Sequence, residues 1–129
     1  MSDHWRKRVT MIYFLKRLKD RCIWSWDGVL DTWRNEHSFR SWVWANLISA
    51  ALAFLLPLSV GERALILALG VNVMAMELVN TAIELTVDYI STEKHDLARR
   101  AKDAGSAAVA VSAIAAGVAW VVILIGLAV

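Results

Sequence analysis

Residues 64–88 read ALILALGVNVMAMELVNTAIELTVD, and this stretch is apolar enough to cross a bilayer although three carboxylates and one amide lie near its end. These four, which we call the acidic stripe, are Glu77, Asn80, Glu84 and Asp88. At roughly 100° per residue, their spacing places them within an arc of about 80° on one face of an α-helix. Ionisable groups at membrane depth are costly and usually functional. Carboxylates that share one face also favour a bound cation, because like charges repel unless something neutralises them.

The rest of the chain contains further apolar blocks of about 20 residues, the length that spans the hydrocarbon of a bilayer. The 129 residues are 58% hydrophobic and form one predicted domain, residues 1–129. We predict an all-α integral membrane protein with three transmembrane helices at about 42–60, 64–88 and 105–128. Apolar residues also recur at helical spacing in residues 8–34, opposite a basic face, which predicts an amphipathic helix on the membrane surface.

The basic residues indicate the orientation of the chain in the membrane. Nine of the fourteen Lys and Arg precede Ser41, and four more follow the second predicted span. The positive-inside rule therefore predicts that the N-terminus and the loop at residues 89–104 are cytoplasmic. Basic charge on one membrane face suits anionic headgroups or a phosphate-bearing ligand. Nucleic acid is a poor fit, because this charge borders membrane spans.

Depth along the second predicted span separates the roles of its two glutamates. If the helix enters the membrane at Ala64, Glu77 lies about 20 Å along it and Glu84 about 30 Å along it, near the cytoplasmic boundary. Glu77 then suits proton abstraction from a lipid alcohol, and Glu84 suits Mg²⁺ ligation. The alternative is a set of hydrogen bonds that hold helices together. Asn80 alone would favour this alternative, but two glutamates on the same face do not.

The basic segment after the second span offers cations for phosphate groups. Solvated surface charge explains Arg99 and Arg100 about equally well. The sequence contains neither a phosphate-binding loop of the form G-x-x-x-x-G-K-S/T nor the glycine-rich loop of protein kinases. Any nucleotide chemistry must therefore use a different scaffold.

The third predicted span is rich in Gly, Ala and Ser, which allow helices to pack closely. We expect that three helices cannot hide the acidic stripe within one chain, and that a lone chain leaves Glu77 near lipid. Packing against other copies would cover Glu77, so the sequence predicts an oligomer.

Three segments resemble one known family. The run Glu77-Leu78-Val79-Asn80-Thr81-Ala82-Ile83-Glu84, with Asp88, resembles the E-x-x-N-S/T-A-x-E-x-x-x-D signature of the bacterial membrane diacylglycerol kinases. Residues 100–108, RAKDAGSAA, and residues 33–40, WRNEHSFR, resemble two further segments of that family. The resemblance covers roughly residues 15–125.

The resemblance implies a homotrimeric lipid kinase of the bacterial inner membrane that uses Mg²⁺ and transfers the γ-phosphoryl group of ATP to a lipid hydroxyl. It implies that Glu77 is the general base and that Glu36 and Glu84 ligate the metal. The implied nucleotide contacts are Arg17, Trp24, Glu36, Glu84, Glu93, Lys94, His95, Lys102 and Asp103. The implied lipid contacts are Ser25, Trp26, Trp33, Phe39, Arg40, Asn80 and Ser106.

The predicted function is therefore an ATP-dependent diacylglycerol kinase that makes phosphatidic acid at the cytoplasmic membrane interface. One alternative is an undecaprenol kinase of the same family, because the signature is shared. A second alternative, from a different class, is a non-catalytic oligomeric scaffold or an ion-conducting protein whose pore is lined by the acidic stripe. Mg²⁺-dependent ATP turnover that requires lipid would discriminate an enzyme from this last class.

Overall fold

The computed structural model describes residues 3–129, with side chains from Thr10 onwards, and this part of the chain consists of four α-helices. The helices are α1 (Asp3–Asn35), α2 (His37–Leu55), α3 (Val60–Ile90) and α4 (Asp96–Ala128). The predicted all-α class is confirmed. The chain divides into two compact units, of which α1 forms the first and α2, α3 and α4 form the second.

Residues 8–34, predicted as an amphipathic helix, are helical within α1, which begins earlier, at Asp3, and ends at Asn35. The amphipathic character remains a prediction. Many of its large apolar side chains are exposed, among them Met11, Phe14 and Leu15. At its end the Asn35 amide donates to the backbone oxygen and to the carboxylate of Asp31, both at 3.0 Å. The position of α1 on a membrane surface remains a prediction.

Helix α2 ends earlier than predicted. The expected span at 42–60 is wrong at its end, because the helix stops at Leu55. Leu56 is extended, with φ −84° and ψ 153°, and it directly precedes Pro57. The ring of a proline disfavours the helical conformation in the residue before it, so apolarity continues past this point but the helix does not.

Helix α3 begins with a capping box. The backbone nitrogen of Ser59 donates to Oε2 of Glu62 at 2.7 Å, and the backbone nitrogen of Glu62 donates to Oγ of Ser59 at 3.3 Å. These two bonds satisfy donors that the first turn of a helix leaves without partners. The predicted span at 64–88 is therefore helical, and α3 continues beyond it at both ends.

Helix α4 begins well before the predicted boundary at residue 105. The expected loop at 89–104 is wrong, since the non-helical connection covers only residues 91–95. Nδ1 of His95 accepts the backbone N–H of Leu97 at 3.2 Å, and Asp96 occupies the first turn, where the helix dipole favours negative charge. The charged residues from 96 to 103 thus extend the helix beyond its apolar stretch.

Two helices, α3 and α4, are long and apolar enough to cross a membrane. Helix α2, the first predicted span, is not among them. Its role as a span therefore remains a prediction.

The second unit is tied most firmly at the end where α2 connects to α3, which we call the clamped end. Ala53, Leu58, Ile66 and Ile123 are buried there in one apolar cluster. Arg63 donates from Nε to the backbone oxygen of Ala53 at 2.8 Å and from Nη2 to that of Leu58 at 3.2 Å. Its guanidinium also lies 5.2 Å from the centre of the Phe54 ring. Arg63 therefore satisfies the Ala53 oxygen, which the end of α2 leaves without a helical partner, and the Leu58 oxygen in the connection to α3.

Candidate active site on helices α3 and α4

Glu77 lies on the buried face of α3. This face repeats at the spacing of three and four residues that a helix requires, and its buried members are Ile66, Gly70, Val73, Glu77 and Thr81. The side chain of Glu77 is only 3% exposed within the single chain. The expectation that a lone chain leaves Glu77 near lipid is therefore wrong, because the face of α3 that contains Glu77 turns inward.

One turn further along α3, the side chain of Asn80 holds Glu84. Nδ2 of Asn80 donates to Oε1 of Glu84 at 3.0 Å. The other end of the amide, Oδ1, is buried and has no hydrogen-bond partner, and it is the only such side-chain atom in the described part of the chain. A Cβ atom added to Gly105 of α4 would lie 2.5 Å from this oxygen, so the absence of a side chain there allows α4 to approach Asn80.

The last turns of α3 are joined to α4 by an ion pair. Nζ of Lys102 lies 2.6 Å from Oδ1 of Asp88, and the two side chains are 34% and 53% exposed. Partly exposed pairs contribute roughly 0–1 kcal/mol to stability, so this contact is not a major support of the fold. It does bring Lys102, predicted as a nucleotide contact, to the end of the acidic stripe.

Asp103, the other predicted nucleotide contact on α4, pairs with Arg99. The Arg99 guanidinium donates from Nη1 to Asp103 and from Nη2 to Asp96, both at 2.7 Å. Arg99 precedes the uncharged part of α4, residues 104–128. The hydrogen bond to Asp96 and the negative charge of Asp103 raise the pKa of Arg99. This arginine thus fixes the Asp103 carboxylate and stays charged.

The remaining predicted residues of the second unit are spread over its connections and helix ends. Glu36 is the N-cap of α2 and makes no side-chain capping bond. Phe39 is buried, Arg40 is half-buried and Ser106 is exposed. The predicted contacts in the connection between α3 and α4 are all exposed, and they are Glu93, Lys94 and His95.

Five predicted residues lie on α1: Arg17, Trp24, Ser25, Trp26 and Trp33. The guanidinium of Arg17 donates to the hydroxyl of Tyr13 at 3.3 Å and lies 5.4 Å from the centre of the Tyr13 ring. Trp24 and Trp26 are exposed. Their assignments to nucleotide and lipid remain predictions.

Comparison with known proteins identifies the family. The family model described as prokaryotic diacylglycerol kinase matches residues 23–124.

The chain belongs to the prokaryotic diacylglycerol kinase family.

Its relatives in this family match most of its length. A protein named diacylglycerol kinase from Pseudomonas aeruginosa is 44% identical over 112 residues, which cover 87% of this chain and 91% of the relative. A diacylglycerol kinase from Escherichia coli (strain K12) is 40% identical over 101 residues, covering 78% and 83%. A protein named undecaprenol kinase from Bacillus subtilis (strain 168) is 40% identical over 87 residues, covering 67% and 71%.

Membership of the diacylglycerol kinase family confirms that this chain is an enzyme, a lipid kinase associated with membranes. It confirms the resemblance seen in the sequence. It also argues against the non-catalytic scaffold and the ion-conducting protein.

The carboxylate oxygens of the acidic stripe are ligands of the kind that Mg²⁺, the metal that a kinase of this family implies, would bind. Among the side chains described, those from Thr10 onwards, no group of three or more His, Cys, Asp and Glu is placed to hold a metal ion. Mg²⁺ that arrives with nucleotide is bound by one or two carboxylates together with the phosphates and water. Glu84, which accepts a hydrogen bond from Asn80, would supply one such carboxylate. The pairing of Glu84 with Glu36 remains a prediction.

Sequence reasoning missed three features of this region: the partner of Lys102, the partners of Arg99, and the approach of Gly105. The spacing of Asp96, Arg99 and Asp103 contains the signal for the second, since residues three and four apart meet on a helix. Treating these residues as a loop hid that signal. The pair of Lys102 with Asp88 joins two helices, and only the folded chain shows it.

Proposed function

We propose that this protein is an ATP-dependent diacylglycerol kinase that phosphorylates diacylglycerol to phosphatidic acid at the cytoplasmic face of the bacterial inner membrane. The observation that carries the proposal is the burial of Glu77 on the α3 face that leads to Glu84. Burial of an ionisable group lowers stability, so a group buried this deeply is a candidate for a functional role. The relatives from Pseudomonas aeruginosa and Escherichia coli are named diacylglycerol kinase, which supports the choice of substrate.

The proposed role of Glu77 is that of general base. The hydroxyl oxygen of the lipid forms a bond to the γ-phosphorus of ATP, while the bond from that phosphorus to the β,γ-bridging oxygen breaks and ADP leaves. The proton of the hydroxyl goes to a carboxylate oxygen of Glu77. Burial of Glu77 keeps water from competing with the lipid hydroxyl for the phosphoryl group.

The polar residues at the cytoplasmic end of α3 would hold the nucleotide. Bound Mg²⁺ supplies neutralisation of phosphate charge, and Glu36 and Glu84 would ligate it. Lys102 has three N–H donors, so it can bond a phosphate oxygen with one while Asp88 accepts another. Further proposed nucleotide contacts are Arg17, Trp24, Glu93, Lys94, His95 and Asp103.

Exposed aromatic side chains on α1 support a role for this helix at the membrane surface. Exposed tryptophans such as Trp24 and Trp26 suit the boundary between headgroups and acyl chains. Proposed lipid contacts are Ser25, Trp26, Trp33, Phe39, Arg40 and Ser106. Undecaprenol is the second candidate substrate, because the Bacillus subtilis relative named undecaprenol kinase matches 67% of this chain.

A homotrimer with three spans in each chain and a cytoplasmic N-terminus is the proposed assembly. A polar pair on the second unit supports an oligomer: Nδ2 of Asn72 donates to Oγ of Ser112 at 3.2 Å, and the pair is exposed although both helices are apolar enough to cross a membrane. A neighbouring copy would shield this pair from lipid, where an exposed polar group is unfavourable.

Mixed oligomers test whether protomers share a site. Glu77→Gln chains are mixed with Lys102→Ala chains at an ATP concentration low enough that Lys102→Ala chains alone are nearly inactive, and mixing is verified by affinity tags. Partial recovery of kinase activity is expected if the two residues serve one site from different chains. No recovery despite verified mixing would mean that each chain builds its own site.

A side-by-side kinase assay tests the proposed function. Purified protein in mixed micelles receives ATP with diacylglycerol or with undecaprenol, each with and without Mg²⁺. We expect Mg²⁺-dependent formation of phosphatidic acid with a higher kcat/KM than that for undecaprenol. Preferential phosphorylation of undecaprenol would support the second candidate, and turnover of neither lipid would contradict the proposal.

A further inference from the structure

The family resemblance implies that Asn80 contacts lipid, but its side-chain amide already uses one of its two N–H donors on Glu84. Nδ2 donates to Oε1 of Glu84 at 3.0 Å. A flipped amide would place Oδ1 against the Glu84 carboxylate, where two acceptors repel each other. The contact with Glu84 therefore selects one orientation of the amide.

Packing against α4 also restricts the amide of Asn80. Oδ1 is buried without a partner, so no bond of its own fixes it. It lies against α4 at Gly105, where an added Cβ atom would come within 2.5 Å of Oδ1 and 3.5 Å of Cγ. The amide has no room to swing toward α4, and the Glu84 carboxylate is held by a group that cannot easily move away.

We propose that Asn80 is a positioning residue that orients Glu84 for the metal ion. The inference rests on the proposed function, in which Glu84 ligates Mg²⁺ that arrives with ATP. A fixed carboxylate binds metal more tightly than a mobile one, and partners of ligating carboxylates typically contribute about 10–100-fold to metal affinity. Asn80 would thus act through Glu84 and leave the lipid untouched.

Metal binding measured without turnover tests this role. Mn²⁺ replaces Mg²⁺, since both prefer octahedral oxygen ligands, and free Mn²⁺ is followed by electron paramagnetic resonance in the presence of a non-hydrolysable ATP analogue. The variants are Asn80→Ala, Glu84→Ala and the double variant. Asn72→Ala, with its oligomeric state verified to match that of the wild type, is the matched control, because Asn72 also lies on α3 and also donates to another side chain, that of Ser112.

Asn80→Ala should raise the dissociation constant of Mn²⁺ about 10–100-fold and leave the KM for lipid unchanged. Asn72→Ala should leave both values unchanged. In the double variant, loss of Asn80 should add nothing to the effect of Glu84→Ala. Normal Mn²⁺ affinity with a raised KM for lipid would overturn the proposal in favour of lipid contact. A further loss of Mn²⁺ affinity in the Glu84→Ala background would overturn it too, because Asn80 would then act independently of Glu84.

The Mn²⁺ affinity of Glu84→Ala separates failure of the inference from failure of the proposed function. If Glu84→Ala binds Mn²⁺ normally, the proposed metal role of Glu84 fails and the inference falls with it. If Glu84→Ala is impaired and Asn80→Ala is not, the inference alone fails. Should Asn80→Ala fold poorly, Asn80→Leu keeps a similar volume without a donor, and the same loss of Mn²⁺ affinity is expected of it.

Discussion

The two ends of α3 are both tied by polar side chains, but to different kinds of partner. At the clamped end, Arg63 donates to the backbone oxygens of Ala53, in the last turn of α2, and of Leu58, in the connection to α3. At the opposite end, which we call the polar end, side chain meets side chain in the pairs Lys102–Asp88 and Asn80–Glu84. A hydrogen bond to the backbone stays in place while the chain is folded, whereas a side chain can turn from its partner to a ligand.

Burial separates the two ends as well. The clamped end buries Ala53, Leu58, Ile66 and Ile123 in one apolar cluster, and the guanidinium of Arg63 donates there to backbone oxygens. The polar end leaves Oδ1 of Asn80 buried without a partner and keeps both members of the Lys102–Asp88 pair partly exposed. A buried polar atom without a partner lowers stability. The polar end, where we propose that ATP and lipid react, thus contributes less to the stability of the fold. The clamped end stabilises the fold and takes no part in the proposed reaction.

Removal of the proposed metal ligands should break the polar end most completely. Glu84→Ala and Glu36→Ala are each expected to abolish kinase activity at ordinary Mg²⁺ or to raise the Mg²⁺ concentration needed for half-maximal rate. The double variant should be little worse than either single one, since both residues would act on one ion. Rates measured over a range of Mg²⁺ concentrations check this. Simple additivity with an unchanged Mg²⁺ response would mean that both residues are only structural.

The ion pair at the polar end can be separated from its proposed role in binding. Lys102→Ala should raise the KM for ATP by about 10–100-fold, the effect of losing a hydrogen bond to a charged group. The exchange of both residues, Asp88→Lys with Lys102→Asp, restores an ion pair but puts a carboxylate where phosphate would bind. This double variant should unfold like the wild type and still bind ATP poorly. Normal ATP binding in it would reduce Lys102 to a structural residue.

Damage to the clamped end should have the smallest effect on catalysis. Arg63→Ala removes hydrogen bonds to two backbone oxygens and should lower the free energy of unfolding by about 1.5–3 kcal/mol. The kcat and both KM values should stay near those of the wild type at temperatures where the variant is folded. Unfolding in mixed micelles and kinase assays on the same preparation check both parts. A large fall in kcat with unchanged stability would contradict the view that the clamped end stabilises the fold and takes no part in catalysis.

The features that sequence reasoning predicted correctly are those contained within one helix. The acidic stripe follows from the period of α3 alone, and Glu77 and Glu84 do lie on that helix as expected. The end of α2 was predictable from Pro57, but the span was predicted from apolar residues alone and therefore extended too far. The start of α4 was misplaced because charge was taken as a sign of a loop.

The features that escaped prediction depend on how helices face each other. The burial of Glu77 within one chain, the approach of Gly105 to Asn80 and the pairing of Lys102 with Asp88 all require the rotation of α3 relative to its neighbours. A single sequence shows which residues share a face. It does not show which face of the next helix they meet.

Phosphoryl transfer by Glu77→Gln tests the account most directly. The amide keeps the size of the side chain but cannot accept the hydroxyl proton. Transfer from labelled ATP to diacylglycerol is measured in a single turnover, beside binding of a non-hydrolysable ATP analogue and unfolding in the same micelles. We predict that transfer falls by about 10²–10⁴-fold, the usual contribution of general base catalysis, while nucleotide binding and folding persist. Transfer near the wild-type rate in folded Glu77→Gln protein would contradict the assignment of the buried carboxylate as the base.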